Sequence, residues 1–294
     1  MPFLSVLLCT VRDTAYLHHP EWGNLATIIE CLKEQTFKDF EVIIVDGLYA
    51  HRLEKLPFVE FRVHLARPRP SFWQRRGAVC ISGYRNTGLA LARGQLVVNL
   101  DDACVLPPVY LEVFAEAWRL HSIAVAATWP RQGDSRQPGL VKWPGQVFGF
   151  GSYPTEMARA LGGYDEAYDG GQGLEDVDWS TRLFEAGLRQ GLVDIPGFDI
   201  LPQTAHDPRA VLGPPVQRCC NAAWMTQRKH MPVRVANLNW ARERREALVG
   251  PCRYIDVASV CTHHGLKCAY LDLGWPLERS EAQQAFVDAP VEEL

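Results

Sequence analysis

The chain has 294 residues, of which 47% are hydrophobic and 22% charged, and its formal net charge is −4. These values exclude a disordered chain, which would contain far fewer apolar residues and carry a larger net charge. A chain of this length can bury one large α/β core, with or without a small appendage. The small net charge gives no overall electrostatic reason to expect a polyanionic partner.

The nine cysteines and the start of the chain predict a location. The number of cysteines is odd, and several lie in apolar runs, where a free thiol behaves as a small hydrophobic residue. No basic region or cleavage site precedes the first apolar run, and no run approaches the roughly 18–20 residues of a membrane-spanning helix. We therefore expect a cytoplasmic protein without a membrane anchor of its own.

Strand and helix patterns alternate along the chain. Short continuous apolar runs predict three buried strands, at residues 3–9, 41–46 and 95–100. Helical patterns predict three helices, over 25–35, over 86–93 with Gly94 in the C′ position, and from about Glu175 to Gly187. The alternation indicates an α/β fold with a mostly parallel central sheet and helices on both faces.

Acidic residues stand at the ends of two predicted strands. Asp46 ends one strand, and the pair Asp101 and Asp102 follows another. Ligands of such sheets bind beyond the carboxyl ends of the strands, so these acids are candidates for a site. Aspartate is also common wherever strands end, and for Asp46 alone the two explanations are equally good.

Four sequence blocks resemble the family-2-like glycosyltransferases with the GT-A fold. The blocks are Ser5–Thr10, Gln35–Gly47, Arg85–Gly94 followed by Leu100–Asp102, and Gly162–Glu166 followed by Gly173–Asp178. They occur in the family's order and spacing over roughly residues 3–207, and any one of them alone would be a weak signal. The resemblance implies a glycosyltransferase that moves a sugar from a nucleotide-sugar donor, which we expect to be UDP-linked, to a hydroxyl acceptor.

The extent of the resemblance predicts a division of the chain. We expect a GT-A catalytic domain over residues 1–207, with a nucleotide-binding half at 1–100 and an acceptor half at 101–207. Residues 208–294 are expected to form a C-terminal extension that is basic and contains cysteine and histidine.

The resemblance also implies roles for residues that bind the donor. These residues are Thr10, Asp46, Arg85, Asn86, Asp101 and Asp102. Asp46 would accept hydrogen bonds from the base or ribose, and Arg85 would counter the charge of the diphosphate. Asp101 and Asp102 would occupy the family's ribose- and metal-binding acidic motif.

A divalent cation, Mn²⁺ or Mg²⁺, is expected to bridge the diphosphate and stabilise the leaving group. Its expected ligands are Asp102 and His206, although a single histidine is more often structural. The family's motif usually reads Asp-x-Asp, whereas this chain has Ala103 at the position of the second acid. Either Asp102 holds the cation in a shifted geometry, or metal binding is weak or absent.

The last block implies the catalytic group. Asp176 is expected to be the general base of an inverting reaction, assisted by Glu175, and a retaining reaction stays open. Asp178, Trp179 and Arg182 are expected on the acceptor side. From the residues alone, the acids could also form a capped first turn of a helix, and Trp179 is better explained by core packing than by sugar stacking.

Two further patterns leave alternatives open. The segment 61–85 contains six arginines and no acid, and 208–253 contains nine basic residues against two acidic ones. Such segments could clamp a diphosphate or follow a nucleic-acid backbone, and a solvated face is the simpler explanation. An acceptor in DNA, a hydroxymethylated base flipped out of the duplex, is therefore one alternative. A catalytically silent module that binds a sugar nucleotide or glycan is another, supported by Ala103.

A cluster of cysteine and histidine lies near the C-terminus. The residues that could hold a structural Zn²⁺ are Cys252, Cys261, His263 and Cys268, with His264 beside them. Their spacing matches no standard zinc finger, and buried thiols with surface histidines are the alternative.

Overall fold

The computed structural model describes residues 1–10, 25–47, 61–68, 80–102, 104–128, 137–144, 150–169 and 173–200. The strands are β1 (Leu4–Thr10), β2 (Phe40–Asp46), β3 (Arg62–Ala66), β4 (Leu96–Asp101), β5 (Cys104–Val105), β6 (Ala124–Ala127), β7 (Gly139–Leu140), β8 (Ser152–Pro154), β9 (Gln190–Val193) and β10 (Asp199–Ile200). The helices are α1 (Leu25–Lys33), α2 (Ile81–Leu91), α3 (Tyr110–His121), α4 (Thr155–Ala160) and α5 (Glu175–Glu185), with a 3₁₀ helix at Glu166–Tyr168.

The central sheet has five strands in the order β3-β2-β1-β4-β8. The first four are parallel, and β8 pairs antiparallel with β4. The register places Thr10 opposite Asp46 on one side of β1, and Cys9 opposite Asp101 on the other. The mostly parallel sheet confirms the prediction from the sequence, which did not reveal the antiparallel edge strand. Two smaller sheets, β6-β9-β7 and β10-β5, complete the described strands.

Apolar side chains cover both faces of the central sheet. On one face, α1 and α3 pack against alternate residues of β1, β2 and β4, such as Val6 and Val98. On the other face, α2 and α5 pack against the residues between them, such as Leu7 and Val97. Strands covered on both faces read as continuous apolar runs, which is why the sequence predicted them well.

Helix α2 differs from its prediction at both ends. It begins at Ile81, five residues before the predicted start, where the Asp169 carboxylate accepts the Ser82 and Gly83 N–H groups at 2.8 and 2.9 Å. A cap from 87 residues away is invisible in the local sequence. The predicted C′ role of Gly94 is wrong, because Ala92 at the helix end already has an extended backbone.

Gly94 serves a close approach of two chain segments. Its N–H donates to Ser5 Oγ at 2.8 Å, and its carbonyl accepts from Thr155 Oγ1 at 2.6 Å. A Cβ at this position would lie 2.5 Å from Ser5 N and 2.6 Å from the Leu4 carbonyl carbon. Both atoms belong to the backbone of β1 and cannot move aside.

The amino ends of the strands carry a buried polar network around Glu41. Ser5 Oγ donates to Glu41 Oε1 at 2.8 Å, and the Arg93 N–H donates to the same oxygen at 2.8 Å. His64 Nε2 lies 3.6 Å from the other carboxylate oxygen. This network ties β1, β2 and β3 to the segment that enters β4.

No helix in the described ranges is long and apolar enough to cross a membrane. The predicted boundary at residue 207 and the extension at 208–294 lie outside the described residues, and the cytoplasmic location stays a prediction.

The close approach at Gly94 predicts a specific loss of stability. Gly94→Ala should lower the free energy of unfolding by about 1–3 kcal/mol, the usual cost of overpacking, because the new methyl group meets backbone atoms. Urea or thermal denaturation measures this change. Gly191→Ala is the control, since the nearest atom to its new Cβ would be in the Ile123 side chain, at 3.3 Å, and its nearest backbone atom, the Gly139 carbonyl oxygen, would lie at 3.6 Å. Equal effects of the two substitutions would contradict the explanation.

Candidate functional site

Four residues form what we call the strand-end rim, at the carboxyl ends of the three inner strands: Thr10, Asp46, Asp101 and Asp102. Thr10 Oγ1 donates to Asp102 Oδ2 at 2.6 Å and so connects the end of β1 to the end of β4. The Gly47 N–H donates to the Thr10 carbonyl at 2.9 Å and connects β1 to the end of β2. The structure thus brings the predicted strand-end residues together.

The rim residues differ in exposure. Asp101 is partly exposed, whereas Asp102 is 3% exposed and Asp46 fully buried. Asp46 lies close enough to Tyr84 that its charge, together with burial, raises the pKa of the tyrosine. Asp101 is therefore the rim carboxylate most accessible to a ligand, and the expected contact between Asp46 and a donor base stays a prediction.

Cys9 lies between the rim and helix α2. Burial raises the pKa of its thiol to about 12, the Arg85 guanidinium opposes this rise, and the Asp101 and Asp102 carboxylates add to it. The thiol is accordingly neutral at physiological pH. Because all three charged groups act on one sulfur atom, Arg85 and the rim acids share a neighbourhood. No local pattern in the sequence predicts the position of Cys9 between the rim and helix α2.

Arg85 connects this neighbourhood to the first turn of α5. Its Nη1 atom lies 3.2 Å from Glu175 Oε1, and both side chains are largely buried, at 16% and 9% exposure. The guanidinium carbon lies 4.9 Å from the centre of the Tyr164 ring, in cation–π contact. Arg85 thus has a carboxylate partner within the protein, a contact that its expected role as a diphosphate ligand did not include.

Glu175 and Asp176, which we call the α5 acids, occupy the first two positions of that helix. Burial raises the pKa of Glu175 to about 7, the neighbouring Asp176 adds to the rise, and Arg85 opposes it. Asp176 is partly exposed, and its Oδ1 accepts the Val177 N–H at 2.8 Å. The positive end of the helix dipole favours ionised acids at this position.

An unusual backbone precedes the α5 acids. Leu174 has φ 74° and ψ −9°, in the left-handed region, directly after Gly173 with φ 77°. A branched residue rarely adopts this conformation, and such strain is concentrated at functional sites. The turn fixes the direction in which the chain enters α5 and therefore where its first carboxylates lie.

A small cavity of about 20 Å³ opens beside Asp176, with room for about one water molecule. Its lining includes Asn99, Tyr164, Trp179 and Gln190. The cavity is too small for a sugar. It shows that Asp176 borders a narrow space between β4 and α5.

Asn86 is hydrogen-bonded inside the protein, and its expected role in binding the donor stays a prediction. Its Nδ2 donates to the Tyr164 carbonyl at 2.8 Å and to Glu166 Oε1 at 3.0 Å, while its Oδ1 accepts the Tyr164 N–H at 2.8 Å. The side chain is 6% exposed. Asn86 therefore fixes the backbone of Tyr164, a contact that the sequence did not predict.

The expected acceptor residues Asp178, Trp179 and Arg182 pack inside the protein. Arg182 Nε donates to Asp178 Oδ2 at 2.8 Å, and Nη1 donates to the Leu161 carbonyl at 3.0 Å. Trp179 is 3% exposed, with its ring centre 4.8 Å from that of Tyr164. These contacts anchor α5 in the core. They agree with core packing for Trp179, and the expected acceptor role of the three residues stays a prediction.

Several expected ligands lie outside the described residues. These are His206 and the cluster Cys252, Cys261, His263 and Cys268, and Ala103, which stands where the family has its second acid, lies outside them as well. Within the described residues, no group of three or more histidine, cysteine, aspartate or glutamate side chains is arranged to hold a metal ion. The ligand role of His206 and the zinc site stay predictions.

The arginine-rich segments are described only in part. Arg62 and Arg67 are exposed at and after β3. Residues 69–79 and 208–253, which contain most of the other basic residues, lie outside the described residues.

A protein-family model described as "Glycosyl transferase family 2" matches residues 17–169, just over half of the chain. The chain belongs to glycosyl transferase family 2. The family is one of glycosyltransferases, so the chain is a transferase enzyme by membership. The matched segment contains Asp46, Arg85 and the acids at the end of β4, whereas Thr10 and the α5 acids lie outside it. No curated protein matches the chain.

Solved structures show the same GT-A fold. A mannosyltransferase from Pyrobaculum calidifontis, PcManGT, in complex with GDP-Man and Mn²⁺ is 15% identical, with a TM-score of 0.53 over 97% of this chain and 85% of that chain. S. aureus TarS 1–349 in complex with UDP-GlcNAc is 12% identical, with a TM-score of 0.53 over 88% of this chain and 80% of that chain. Two other TarS chains are matched over 59% and 50% of their lengths. At these identities the similarity establishes the fold alone.

The raised pKa of Glu175 predicts a pH-dependent stability. The folded protein holds the carboxyl proton more tightly than the unfolded chain, so this stabilisation is present at low pH and is lost as the pH rises through about 7. Glu175→Gln should therefore flatten the decline in the free energy of unfolding between about pH 5 and 8. Urea denaturation at several pH values measures the decline.

Glu156→Gln is the matched control, because Glu156 is an exposed glutamate that also pairs with an arginine, Arg159, at 2.7 Å. This variant should keep the decline of the wild type. An unchanged decline in Glu175→Gln would contradict the raised pKa.

Proposed function

We propose that the chain transfers a sugar from a nucleotide-sugar donor to a hydroxyl acceptor, with the donor diphosphate at the strand-end rim and Asp176 as the general base. The observation that carries this proposal is the contact of Arg85 with Glu175. It connects the α5 acids to Cys9, on which the charges of the rim acids also act. Arg85 thereby contacts one of the α5 acids directly, and its charge acts on the same thiol as the charges of the rim acids.

The rim provides the oxygen ligands that a divalent cation prefers. Asp101 and Asp102 are adjacent carboxylates, and the Thr10 hydroxyl holds Asp102 through a 2.6 Å hydrogen bond, as outer-shell partners orient metal ligands. These residues fit a Mn²⁺ or Mg²⁺ site. When bound, the cation would supply positive charge to the departing diphosphate. The Mn²⁺ and GDP-Man of PcManGT support this assignment for a chain of the same fold.

The donor is a nucleoside diphosphate sugar in this proposal. The two structural neighbours were solved with UDP-GlcNAc and GDP-Man, and the sequence resemblance favours a UDP-sugar. Asp46 and Thr10 lie on the β1–β2 side of the rim, where the base and ribose would lie if the diphosphate meets Asp101 and Asp102. This arrangement follows the general rule that ligands bind beyond the carboxyl ends of parallel strands.

The chemical step needs a base and an activated leaving group. The acceptor oxygen attacks the anomeric carbon, the bond from that carbon to the diphosphate oxygen breaks, and Asp176 takes the proton of the acceptor hydroxyl. Attack from the side opposite the diphosphate inverts the anomeric centre. Asp176 suits this role because it is partly exposed and stands at a helix N-terminus that favours its ionised form.

Glu175 is the assisting group. Its buried side chain is held by Arg85, and a pKa of about 7 leaves it shared between its two protonation states near neutral pH. It would orient Asp176 and respond to the charge of the arriving donor. Most of the arginines that suggest a DNA acceptor lie outside the described residues, so a DNA acceptor stays a prediction from the sequence.

Loss of the base should separate chemistry from binding. Asp176→Asn should lower the transfer rate by about 10²–10⁴-fold, the usual contribution of general base catalysis, because the amide cannot take the acceptor proton. The thermal shift produced by UDP-GlcNAc or GDP-Man with Mn²⁺ should stay close to that of the wild type, since Asp176 does not bind the donor. Rates are measured as release of the nucleoside diphosphate in the presence of candidate acceptors.

Asp39→Asn removes an exposed carboxylate at the amino end of β2 and serves as the control, with full activity expected. Normal turnover in Asp176→Asn would remove Asp176 as the base.

The rim acids should govern donor binding. Asp101→Asn should reduce the Mn²⁺-dependent part of the thermal shift produced by UDP-GlcNAc or GDP-Man, because a ligand that binds only the folded state stabilises it more the more tightly it binds. Asp102→Asn should act in the same direction and also weaken the Thr10 contact. If neither nucleotide sugar nor Mn²⁺ shifts the melting temperature in a way that depends on these acids, the rim is not the donor site.

A further inference from the structure

We propose that Arg85 is a positioning residue for the α5 acids: through its contact with Glu175 it holds the first turn of α5 and thereby orients Asp176, rather than serving mainly as a ligand of the donor diphosphate. This inference rests on the proposed function. It changes the role that the sequence resemblance implied for Arg85, and it follows from the partners that the guanidinium has in the structure.

The first reason is the direct contact. Arg85 Nη1 lies 3.2 Å from Glu175 Oε1, in surroundings that leave 16% of the arginine side chain and 9% of the glutamate side chain exposed. A charged hydrogen bond at this burial is stronger than one on the surface. Breaking it to reach a ligand would leave Glu175 buried without this partner, which is costly.

The second reason is that the surface beneath the guanidinium is immobile. Arg85 stacks over the Tyr164 ring, and Asn86 binds both the N–H and the carbonyl of Tyr164 at 2.8 Å. Asn99 of β4 also donates to the Tyr164 hydroxyl. The arginine therefore rests on a ring that is fixed at its backbone and at its hydroxyl.

The third reason is that helix α2 is itself fixed at its start. The Asp169 carboxylate accepts two backbone N–H groups there, one turn before Arg85. A guanidinium with a fixed helix, a fixed ring and a fixed carboxylate has little freedom to follow a donor. Such pre-organisation is what an oriented catalytic group requires.

The fourth reason is electrostatic. Two neighbouring carboxylates disfavour each other's charge, and a guanidinium within contact distance favours it. Glu175, Asp176 and Tyr164 raise the pKa of Arg85 above its ordinary value against the opposing effect of burial, so the arginine stays charged. Around this set, Cys9 acts on Arg85 and Tyr153 on Tyr164. One step further out, the charges of Asp101, Asp102 and Asp169 act on Cys9, and those of Asp178 and Arg182 act on Tyr168 together with that of Glu175.

The test compares Arg85→Gln and Arg85→Lys with the wild type. Removing the positive charge should raise the pKa of Glu175 further, so the acidic limb of the pH–rate profile should move by about one unit or more toward higher pH in Arg85→Gln. The turnover number should fall more than the Michaelis constant of the donor rises. In Arg85→Lys, the acidic limb should lie between those of the wild type and Arg85→Gln, because lysine restores the positive charge but lacks the planar guanidinium group.

Arg159→Gln is the matched control. Arg159 also pairs with a glutamate, Glu156, at 2.7 Å, and it binds the carbonyls of Leu89 and Ala92 at the far end of α2. Its removal should leave the pH–rate profile in place. Thermal melts of all variants identify any loss of folding.

A donor-binding role would give the opposite result. If Arg85→Gln abolishes the thermal shift produced by UDP-GlcNAc or GDP-Man with Mn²⁺ and leaves the acidic limb unmoved, Arg85 is a donor ligand and the inference is overturned. If the wild type transfers or releases no sugar from any nucleotide sugar, the proposed function fails instead.

A measurement without activity keeps these two failures distinct. Urea denaturation at several pH values measures how much Glu175→Gln changes the free energy of unfolding, once in the wild type and once in Arg85→Gln. In the Arg85→Gln background, this effect should change over a higher pH range than in the wild type. The reason is that Glu175, without its positive partner, keeps its proton to higher pH. Coinciding pH ranges would overturn the inference whatever the enzyme transfers.

Discussion

The parallel register of β1 with β2 and β4 is the constraint on which the site depends. It sets Thr10 beside Asp46 on one side and Cys9 beside Asp101 on the other, so that three strands end at one rim. The apolar residues that fix this register lie on both faces of the sheet, and a slip by one residue would turn each of them to the wrong face. Core packing therefore decides where the acids stand, even though the acids contribute nothing to the core.

The second constraint is the attachment of α5. Its inner face is held by the buried pair of Asp178 and Arg182 and by Trp179 in the aromatic cluster. Its first turn is left with Glu175 and Asp176 facing the space beside Arg85. Residues that the sequence associated with the acceptor thus hold this helix in the core. Glu175 shares their buried face, since residues three and four apart lie on one side of a helix, whereas Asp176 is partly exposed.

The sequence predicted the central sheet and the acidic residues at its strand ends better than it predicted which side chains bond to one another. Continuous apolar runs identified β1, β2 and β4, and the family resemblance identified the acids. What it missed depends on contacts between distant segments. The capping of α2 by Asp169 and the fixing of Tyr164 by Asn86 join residues 78 to 87 positions apart. No local pattern encodes such pairs. Asn99, a polar residue inside an apolar strand, is the kind of local pattern that can indicate a buried polar network.

Asn99 also has a mechanical consequence. It lies two residues before Asp101 on β4, so both side chains leave the same face of the strand, about 6–7 Å apart along its axis. Asn99 bonds to the two tyrosines against which α5 packs, while Asp101 belongs to the rim. Because both residues belong to one strand, a shift of β4 along its length would displace the rim carboxylate and the hydrogen bonds of both tyrosines together, and the spacing between them would not change.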